Sequence, residues 1–511
     1  MVGIVGVDVG TAGCRACVYN IEGELLSSAS LEYPLYMPQA SWAEQSPEKI
    51  YDSVILVIRN VVEESYKKGD SIAVITFSTV FHSLILVDEK CNAIYPMLTW
   101  ADLRSHKYSE YIKKHYDAND IYSRTGCPVH PMYPLSKILW FKNERPSIFS
   151  KTFKFISIKE YIICKFFNKF IVDRSIASGT GIYNIYNRCW DKELIELLDI
   201  DHSQLSEVVP TTHIEVPINK KIAEELNIAV NTPICLGAGD GVLSAVGTGA
   251  VNPGQAVATI GTSGAVRVVI ESPKLDMNGR TWCYNLTDKY WVAGGAINNG
   301  GIVLRWVRDN FAPCEQVISK KIDIDPYDIL TACTKNVPPA SNGLIMLPFF
   351  LGERSPYWNA NARGVLFGLN LKHKKEHVVK ATLEGIIYRM YSIYLALKDV
   401  TGNIEEIRVS GSFIRSKLWL QIMADVFGKI ISLPSTLEGA AYGSAILGYF
   451  SIGKIRELKE GVNNIKIIKN YYPNLENHKK YEKIYHIYER IYWNLQKEFE
   501  EIVEIQKTFD Q

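Results

Sequence analysis

The sequence predicts an α/β protein of two similar domains, on the basis of three observations. The chain has 511 residues, which exceeds the size at which a single hydrophobic core keeps growing. A glycine–threonine turn between short apolar runs occurs twice, at residues 8–11 and 261–264. Glycines are dense over residues 236–255, shortly before the second turn, and such a cluster marks a change of chain direction or a close ligand. We therefore predict a first domain over residues 1–250, a second over residues 251–460 and a helical tail over residues 461–511.

Short strands and helices follow one another in the first domain. Residues 1–20 alternate in polarity around the first turn, which predicts a β-hairpin, and residues 73–77 and 84–88 are predicted as further strands. Residues 47–67 begin with Ser-Pro, a typical helix start, and residues 135–142 are predicted as a second helix.

The second domain is predicted to begin with another hairpin, around residues 261–264. A strand at residues 290–295, a helix at 300–309 and a long amphipathic helix at 376–398 should follow. Residues 475–505 carry tyrosines and aliphatic side chains at helical spacing. This last helix should pack onto the body of the protein or onto a partner helix, and the second arrangement would give a homodimer.

Composition excludes some partners. The 56 basic and 55 acidic side chains give a formal charge of only +1, so there is no electrostatic footprint for nucleic acid or an anionic membrane. No apolar run approaches the roughly 18 residues of a membrane span. The ten cysteines are scattered, as is typical of free thiols in a reducing cytosol, so we expect a cytoplasmic protein.

Both turns have the chemistry of phosphate binding. Glycine lets backbone N–H groups approach an anion closely, and Thr11, Thr262 and Ser263 add hydroxyl donors. Beside the first turn, Asp8 could hold Mg²⁺ through water, and Arg15 could contact a phosphate. Either turn alone would equally suit an ordinary hairpin, and either charged residue a surface ion pair. The pair of turns favours a polyphosphate held from two sides.

A second phosphate candidate is excluded by its own residues. Residues 448–455 nearly match the P-loop pattern, but Ile455 stands where a hydroxyl must bind magnesium. The segment also follows a predicted helix, whereas a P-loop follows a strand. The two hairpin turns therefore remain the nucleotide candidates.

Two longer patterns carry a family resemblance. The first comprises Pro134, Lys137, Ile138 and Trp140; the second runs over residues 364–384 and ends at a glutamate. In these patterns the chain resembles carbohydrate kinases of the FGGY family, within the actin-like ATPase superfamily, over about residues 1–455. The resemblance implies two actin-like, ribonuclease H-like domains, with ATP and a sugar in the cleft between them.

The resemblance also implies a catalytic base and a nucleotide site. Asp240, in the glycine-rich segment, corresponds to the family's catalytic aspartate, although it could also cap a helix at residues 242–246. Asp8 and Asp240 are the predicted magnesium ligands. The predicted ATP-binding residues are Gly10, Thr11, Arg15, Gly261, Thr262, Ser263, Gly301, Arg305, Gly411, Ser412 and Arg415.

The acceptor is predicted from shorter segments, at residues 81–83, 99–105, 130–132, 295–301 and 352–359, which resemble the gluconate-phosphorylating branch of the family. One departure is the segment after Thr11, where relatives often carry a hydroxyl pair. A buried carboxylate needs a cationic or multi-donor partner. Arg104, His82 and His130 are the predicted partners. The acceptor pocket should come mostly from the first domain, with His82, Trp100, Asp102, Arg104, His130 and Asp240.

The predicted function is therefore ATP-dependent phosphorylation of a sugar acid, D-gluconate, with Asp240 as the base. One alternative is a kinase for another sugar or polyol, such as xylulose. A non-catalytic nucleotide switch on the same fold is the other, and Asp240 together with Asp8 argues against it because a switch needs no base for an alcohol.

Overall fold

The computed structural model describes residues 2–39, 41–436 and 438–509. Its first half is built around a six-stranded sheet, and the remaining short strands form two-stranded ribbons around it. The strands of this half are β1 (Val2–Val9), β2 (Gly13–Tyr19), β3 (Leu25–Glu32), β4 (Glu44–Gln45), β5 (Ser71–Thr79), β6 (Ile85–Val87), β7 (Met97–Leu98), β8 (Lys154–Ile156), β9 (Ile171–Asp173), β10 (Tyr183–Asn184), β11 (Cys189–Trp190), β12 (Glu207–Val209), β13 (Ile214–Glu215) and β14 (Ile234–Gly239). The helices are α1 (Pro47–Lys67), α2 (His106–His115), α3 (Ala118–Thr125), α4 (Pro134–Glu144), α5 (Pro146–Phe149), α6 (Ile158–Phe167), α7 (Arg174–Ser178), α8 (Lys192–Leu198), α9 (Lys220–Leu226) and α10 (Asp240–Gly247).

The second half is built around a seven-stranded sheet. Its strands, with those of one two-stranded ribbon, are β15 (Gln255–Ile260), β16 (Gly264–Ile270), β17 (Trp282–Asn285), β18 (Trp291–Ile297), β19 (Ile345–Leu347), β20 (Val365–Phe367), β21 (Glu406–Ser410), β22 (Ile430–Pro434) and β23 (Ile467–Tyr471). The helices are α11 (Gly301–Phe311), α12 (Pro313–Ile322), α13 (Pro326–Ala332), α14 (Lys375–Thr401), α15 (Lys417–Phe427), α16 (Gly439–Ser451), α17 (Leu458–Val462), α18 (Leu475–Asn494) and α19 (Gln496–Phe509).

The two sheets share one strand order, which confirms the prediction of two similar domains. In the first sheet, β3, β2 and β1 are antiparallel, and β5 and β14 then continue parallel to β1. In the second, β18, β16 and β15 are antiparallel, and β21 and β22 continue parallel to β15. Each glycine–threonine turn therefore joins the two equivalent strands of its sheet.

Helices α10 and α16 hold equivalent places after β14 and β22, and they pack against each other. Glycine makes this contact close. A Cβ on Gly247 would lie 1.7 Å from the carbonyl oxygen of Gly439, and one on Gly443 would lie 2.0 Å from that of Leu243. Helix α16 also packs on β1 and β5, so the second half of the chain covers part of the first sheet.

The tail differs from its prediction in two ways. Residues 467–471 form β23, the edge strand of the second sheet, so the end of the chain is part of the second domain's fold and not only a helical tail. The single predicted helix over 475–505 is two helices, α18 and α19, separated at Leu495. Tyr481, Tyr485 and Tyr488 are buried, and Tyr481 donates to Glu384 of α14 at 2.9 Å, so α18 packs onto the body.

Candidate active site

Both predicted acidic residues lie at one edge of the first sheet. Asp8 is the penultimate residue of β1 and is paired with Ser78 of β5, and Gly239 at the end of β14 is paired with Thr79. Since β1 and β14 flank β5 and run parallel to it, their carboxyl ends meet at the same edge, which is where ligands bind in such sheets. Asp240 follows at the first position of α10.

The two carboxylates interact electrostatically. Burial, followed by the charge of Asp240, raises the pKa of Asp8 to about 7, although the Ser78 hydroxyl donates to it at 2.7 Å. Burial also raises the pKa of Asp240, and the nearby Arg267 guanidinium opposes this effect. A pair of buried carboxylates with raised pKa values beside phosphate-type turns is a suitable place for a cation or for a proton acceptor.

A cavity of about 340 Å³, called here the cleft cavity, lies in front of Asp240. Both domains line it, which differs from the prediction that the acceptor pocket comes mostly from the first. The first domain contributes Thr11, Val80, Phe81, His82, Trp100, Met132, Asp240 and Gly241. The second contributes Thr259, Gly261, Thr262, Ser263, Gly264, Ala265, Arg267, Trp282, Tyr284, Ala296 and Arg354.

A second cavity of about 280 Å³, called here the second-domain cavity, adjoins the first at Gly261 and Thr262, which line both. Six of the predicted nucleotide residues line it, Ser263 lines only the cleft cavity, and Gly411 lies directly before Ser412. The lining residues are Gly261, Thr262, Gly301, Leu304, Arg305, Asp325, Tyr327, Asp328, Thr331, Ser412, Phe413, Arg415, Ser416 and Trp419.

Among the described residues, backbone hydrogen bonds support the second turn, which is open on the cavity side. Gly300 donates to the carbonyl of Thr262 at 3.1 Å and Gly301 to that of Gly261 at 2.7 Å, so α11 begins against the turn. A Cβ on Gly261 would meet no atom within 4 Å, whereas one on Gly411 would lie 2.5 Å from the Ile260 carbonyl oxygen, and Gly411 has φ +93°. Backbone packing and a positive φ therefore require glycine at position 411. At position 261 the protein itself leaves room for a side chain, so glycine would be required there only by a ligand that approaches the turn.

His82 borders the cleft cavity in a defined tautomer. Its Nδ1 lies 2.7 Å from the Gly179 carbonyl oxygen, so Nδ1 carries the proton and Nε2 is left as an acceptor. Burial lowers the pKa of His82 to about 3, so the ring is neutral. The family-pattern residue Lys137 is fully buried and donates to the carbonyls of His82 and Thr99, each at 2.7 Å. Lys137 therefore holds together the two loops that carry His82 and Trp100.

Trp100 joins the first turn to the cleft cavity. Its Nε1 donates to Thr11 Oγ1 at 2.8 Å, and its ring faces the guanidinium of Arg354 at 4.6 Å.

Two arginines predicted to bind the nucleotide form ion pairs. Arg15, predicted for phosphate, forms an ion pair with Glu438. Arg415 pairs with Asp325 at 3.2 Å at the mouth of the second-domain cavity.

Three predicted acceptor residues do not line the cleft cavity. Asp102 and Arg104 are buried and bonded to each other at 2.8 Å, and Arg104 also contacts Glu44 at 2.7 Å. The charge of Arg104 is thus offset by two carboxylates, which makes it poorly suited to bind a ligand carboxylate. His130 is 3% exposed and packs on Trp358, with ring centroids 5.4 Å apart.

Two arginines that the sequence analysis did not assign lie at the cavity instead. Arg267, in β16, and Arg354 have buried Nε atoms with no hydrogen-bond partner, and neither forms an ion pair within the described residues. Burial lowers the pKa of both, that of Arg267 to about 10. A charged residue within the apolar run of β16 was a usable signal for Arg267, and Arg354 lies inside a segment already singled out for the acceptor.

Arg354 is held in place by a buried ion pair behind it. Glu353 accepts from the backbone N–H groups of Asn298 at 2.7 Å and Arg354 at 2.9 Å. Its other oxygen pairs with Arg389 at 3.1 Å, and both side chains are fully buried. The same carboxylate therefore fixes Arg354 and the segment that leads into α11.

Within residues 2–39, 41–436 and 438–509, no group of three or more His, Cys, Asp or Glu side chains is arranged to hold a metal ion. No helix among these residues is both long and apolar enough to cross a membrane.

Two sheets of equal strand order, each presenting a glycine–threonine turn to a shared cleft with an aspartate between them, define an actin-like phosphotransferase fold. Models of the N-terminal and C-terminal domains of the FGGY family of carbohydrate kinases match residues 3–247 and 256–452. The chain belongs to this family. It is a carbohydrate kinase, and its phosphoryl donor is ATP.

Relatives match almost the whole chain. The gluconokinase of Bacillus subtilis (strain 168) is 41% identical, covering 99% of this chain and 98% of the relative, and that of Bacillus licheniformis is 40% identical with the same coverage. Among solved structures, the ligand-bound xylulose kinase of Lactobacillus acidophilus has a TM-score of 0.92 and 33% identity, covering 98% of this chain and 100% of that one. The gluconate kinase of the same organism has a TM-score of 0.91 and 33% identity, covering 98% and 99%.

Proposed function

We propose that this chain transfers the γ-phosphoryl group of ATP to D-gluconate, giving 6-phospho-D-gluconate. One observation carries the choice of acceptor: the cleft cavity combines a carboxylate that can accept a proton with two arginines that have no carboxylate partner within the described residues. Arg267 lies within the influence of the Asp240 charge. A neutral sugar would leave Arg354 without an ionic partner, whereas a sugar acid supplies a carboxylate for it. The relatives named gluconokinase support the same acceptor.

ATP is proposed to bind with its adenosine in the second-domain cavity and its phosphates along Gly261 and Thr262, which border both cavities. The first turn, with Gly10 and Thr11, would close on the phosphates from the other domain. Backbone N–H groups and hydroxyls of this kind bind phosphate without any basic side chain, which suits a chain of almost zero net charge.

Magnesium is the proposed metal, and the residues present fit it. Mg²⁺ in kinases is typically bound by one or two carboxylates together with substrate phosphates, so a three-residue protein cluster is not required. Asp8, whose pKa is raised to about 7 by burial and the Asp240 charge, is a carboxylate that a cation would stabilise in its ionised form. When bound, the ion offsets phosphate charge.

Asp240 is the proposed general base. Its side chain is at the N-terminus of α10, and Arg267 lowers its pKa against the effect of burial. It would accept the proton of the acceptor hydroxyl as the new P–O bond forms. The Asp240→Asn variant should therefore lose phosphoryl transfer by at least about 100-fold, while its ADP dissociation constant stays close to that of the wild type. Full activity in this variant would exclude the role.

The acceptor's carboxylate is proposed to bind Arg354, at the side of the cavity formed by Trp100, His82 and Tyr284. An extended six-carbon acid places its carboxylate and its terminal hydroxyl at opposite ends, so the carboxylate should lie away from Asp240. Arg354, with a free buried Nε and a neighbouring aromatic face, can bind it through charge-assisted hydrogen bonds.

A coupled assay over gluconate, xylulose and neutral polyols tests this proposal. We expect the highest kcat/KM for gluconate; turnover of xylulose without gluconate would make the chain a ketose kinase. In the Arg354→Lys variant, KM for gluconate should rise about 10-fold or more because a charged hydrogen bond is lost, with a smaller change for a neutral acceptor. Arg104→Lys is the matched control: it should lower thermal stability without changing the ratio of kcat/KM values between acceptors.

The cytoplasm is the proposed location, where the ten cysteines, all free, would stay reduced. A homodimer is retained as a proposal, to be checked by light scattering.

A further inference from the structure

Arg267 lies on β16, the strand that leaves the second turn, and its side chain has unusual room. It is paired with Val257 on one side and with Gly294 of β18 on the other. Paired residues of neighbouring strands point to the same face, and Gly294 has no side chain there. Trp282, paired with Gly294, borders the cleft cavity together with Arg267. The guanidinium can therefore extend over this face of the sheet into the cavity.

The side chain leans towards the turn and towards the base. Its Nη1 donates to Thr259 Oγ1 at 3.3 Å, and Thr259 is paired with Ala265, two residues closer to the turn than Arg267. A Cβ on Gly241 would lie 3.1 Å from Arg267 Nε and 3.2 Å from Nη2. The guanidinium of the second domain thus lies directly against the residue that follows Asp240 in the first domain.

The charge of Arg267 has no fixed partner. Its Nε is buried without a hydrogen-bond partner, and it forms no ion pair within the described residues. Burial lowers its pKa to about 10, which still leaves it a cation at neutral pH. The charge of Asp240 favours the ionised guanidinium, but the two side chains form no ion pair within the described residues. A buried cation without an ion-pair partner is costly to maintain, which favours a role in binding an anion.

We propose that Arg267 is a catalytic residue whose guanidinium binds the transferring phosphoryl group between the second turn and Asp240. The proposal rests on phosphoryl transfer with Asp240 as base and does not depend on which acceptor is used. The bond between the γ-phosphorus and the bridging oxygen breaks, and ADP leaves with that electron pair. The acceptor oxygen bonds to phosphorus and its proton passes to Asp240, while Arg267 remains protonated and neutralises charge on the equatorial oxygens.

The other arginines near the site are less suited to this step. Arg15 is paired with Glu438. Arg354 donates through Nη2 to the Ile297 carbonyl at 2.9 Å and packs on Trp100. The guanidinium of Arg267 lies against Gly241, the residue next to the base.

The test compares wild type, Arg267→Lys and Arg267→Ala, using whichever acceptor the wild type phosphorylates best and a second acceptor of different charge. We expect kcat to fall about 10³-fold for both acceptors, as for other arginines that act on a transferring phosphoryl group, with the ADP dissociation constant unchanged. Free guanidinium ion should restore part of the activity of Arg267→Ala. The added thermal stability from ADP with aluminium fluoride and acceptor should be lost, while that from ADP alone remains.

Several results would overturn the proposal. If KM rose for the acidic acceptor alone and kcat stayed unchanged, Arg267 would bind the acceptor's carboxylate and not the phosphoryl group. Loss of folding in both variants, or inactivity that guanidinium does not relieve, would make its role structural. Because the assay uses the best acceptor found, failure of the gluconate assignment would appear in the wild type and would leave this comparison intact.

Discussion

The two glycine–threonine turns have similar sequences and equivalent places in their sheets, yet they are supported in different ways. Side chains hold the first: Trp100 donates to Thr11 Oγ1 at 2.8 Å, Gln45 to the Thr11 carbonyl at 2.8 Å and Tyr33 to the Gly10 carbonyl at 2.5 Å. Backbone N–H groups at the start of α11 hold the second, at Gly261 and Thr262.

This difference indicates different tasks for the two turns. The first turn is connected through Trp100 to the loop that borders the acceptor's part of the cleft, so a change there should affect both substrates. The second turn is fixed from behind and open towards both cavities, so a change there should affect mainly the nucleotide. Three sets of variants test this contrast.

The largest effect is expected for Asp8→Asn, beside the first turn. Loss of the proposed cation ligand should reduce kcat/KM by about 100-fold. In the wild type, protonation of Asp8 below its pKa of about 7 should lower activity as the pH falls from 8 to 6. Ser78→Ala removes a hydrogen bond that lowers this pKa, so the loss of activity should begin at higher pH. An unchanged pH profile in Ser78→Ala would contradict this assignment.

The Asp8→Asn variant should lose activity but gain stability. Between the ordinary value of 3.8 and about 7, the folded state binds a proton at Asp8 that the unfolded chain does not. The contribution of Asp8 to the free energy of unfolding therefore falls as the pH rises through this range. Asp8→Asn should unfold at a higher temperature than wild type at pH 8, and the gain should shrink towards pH 4. Equal gains at both pH values would mean that the pKa is not raised.

An intermediate effect is expected for Gly261→Ala in the second turn. Its added methyl group meets no atom of the protein within 4 Å, so Tm should be unchanged while KM for ATP rises about 10-fold through a clash with the nucleotide. Gly301→Ala is the matched contrast, because its Cβ would lie 2.7 Å from the Gly261 carbonyl oxygen. That variant should lose both stability and ATP affinity. Unchanged KM in Gly261→Ala would indicate that the phosphates do not approach this turn.

The smallest effect is expected for Trp100→Phe, which removes the bond to Thr11 but keeps an aromatic ring for Arg354. One hydrogen bond is worth about 1 kcal/mol, so KM for both ATP and the acceptor should rise about fivefold. Tyr33→Phe removes a bond to the same turn without bordering the cleft cavity and should raise KM for ATP alone. If both variants changed only the KM for ATP, the first turn would have no stronger connection to the acceptor site than the second turn has.

Much of the fold was predictable because the signals are local. The hairpins, α1 over residues 47–67 and most of α14 follow from alternation, a Ser-Pro start and helical periodicity. The misses have equally physical causes. The strand β23 is short and mostly exposed, so it shows little apolar alternation, and the break at Leu495 interrupts a stripe that continues on both sides.

The candidate site was predictable in part. The sequence predicted residues at the two turns because the turn occurs twice, and Asp240 because the family resemblance places its catalytic aspartate there; the structure puts Thr11, Gly261, Thr262 and Asp240 around one cavity. The acceptor's cation was assigned to Arg104, which the structure instead pairs with Asp102 and Glu44. Arg267 and Arg354 were not assigned: an arginine within the apolar run of β16 and one within the segment 352–359 were available signals, but the sequence does not show which arginines lack an ion-pair partner.

The sequence by itself determined the repeated hairpin, the glycine-rich approach to Asp240 and the resemblance to the kinase family, since these depend on backbone conformation and on residues close together in the chain. Only the tertiary structure decided which charges remain unpaired in the cleft. Asp240 and Arg267 come from different domains. Burial and the charge of the other residue act in opposite directions on the pKa of each, and both effects arise only where the two domains meet.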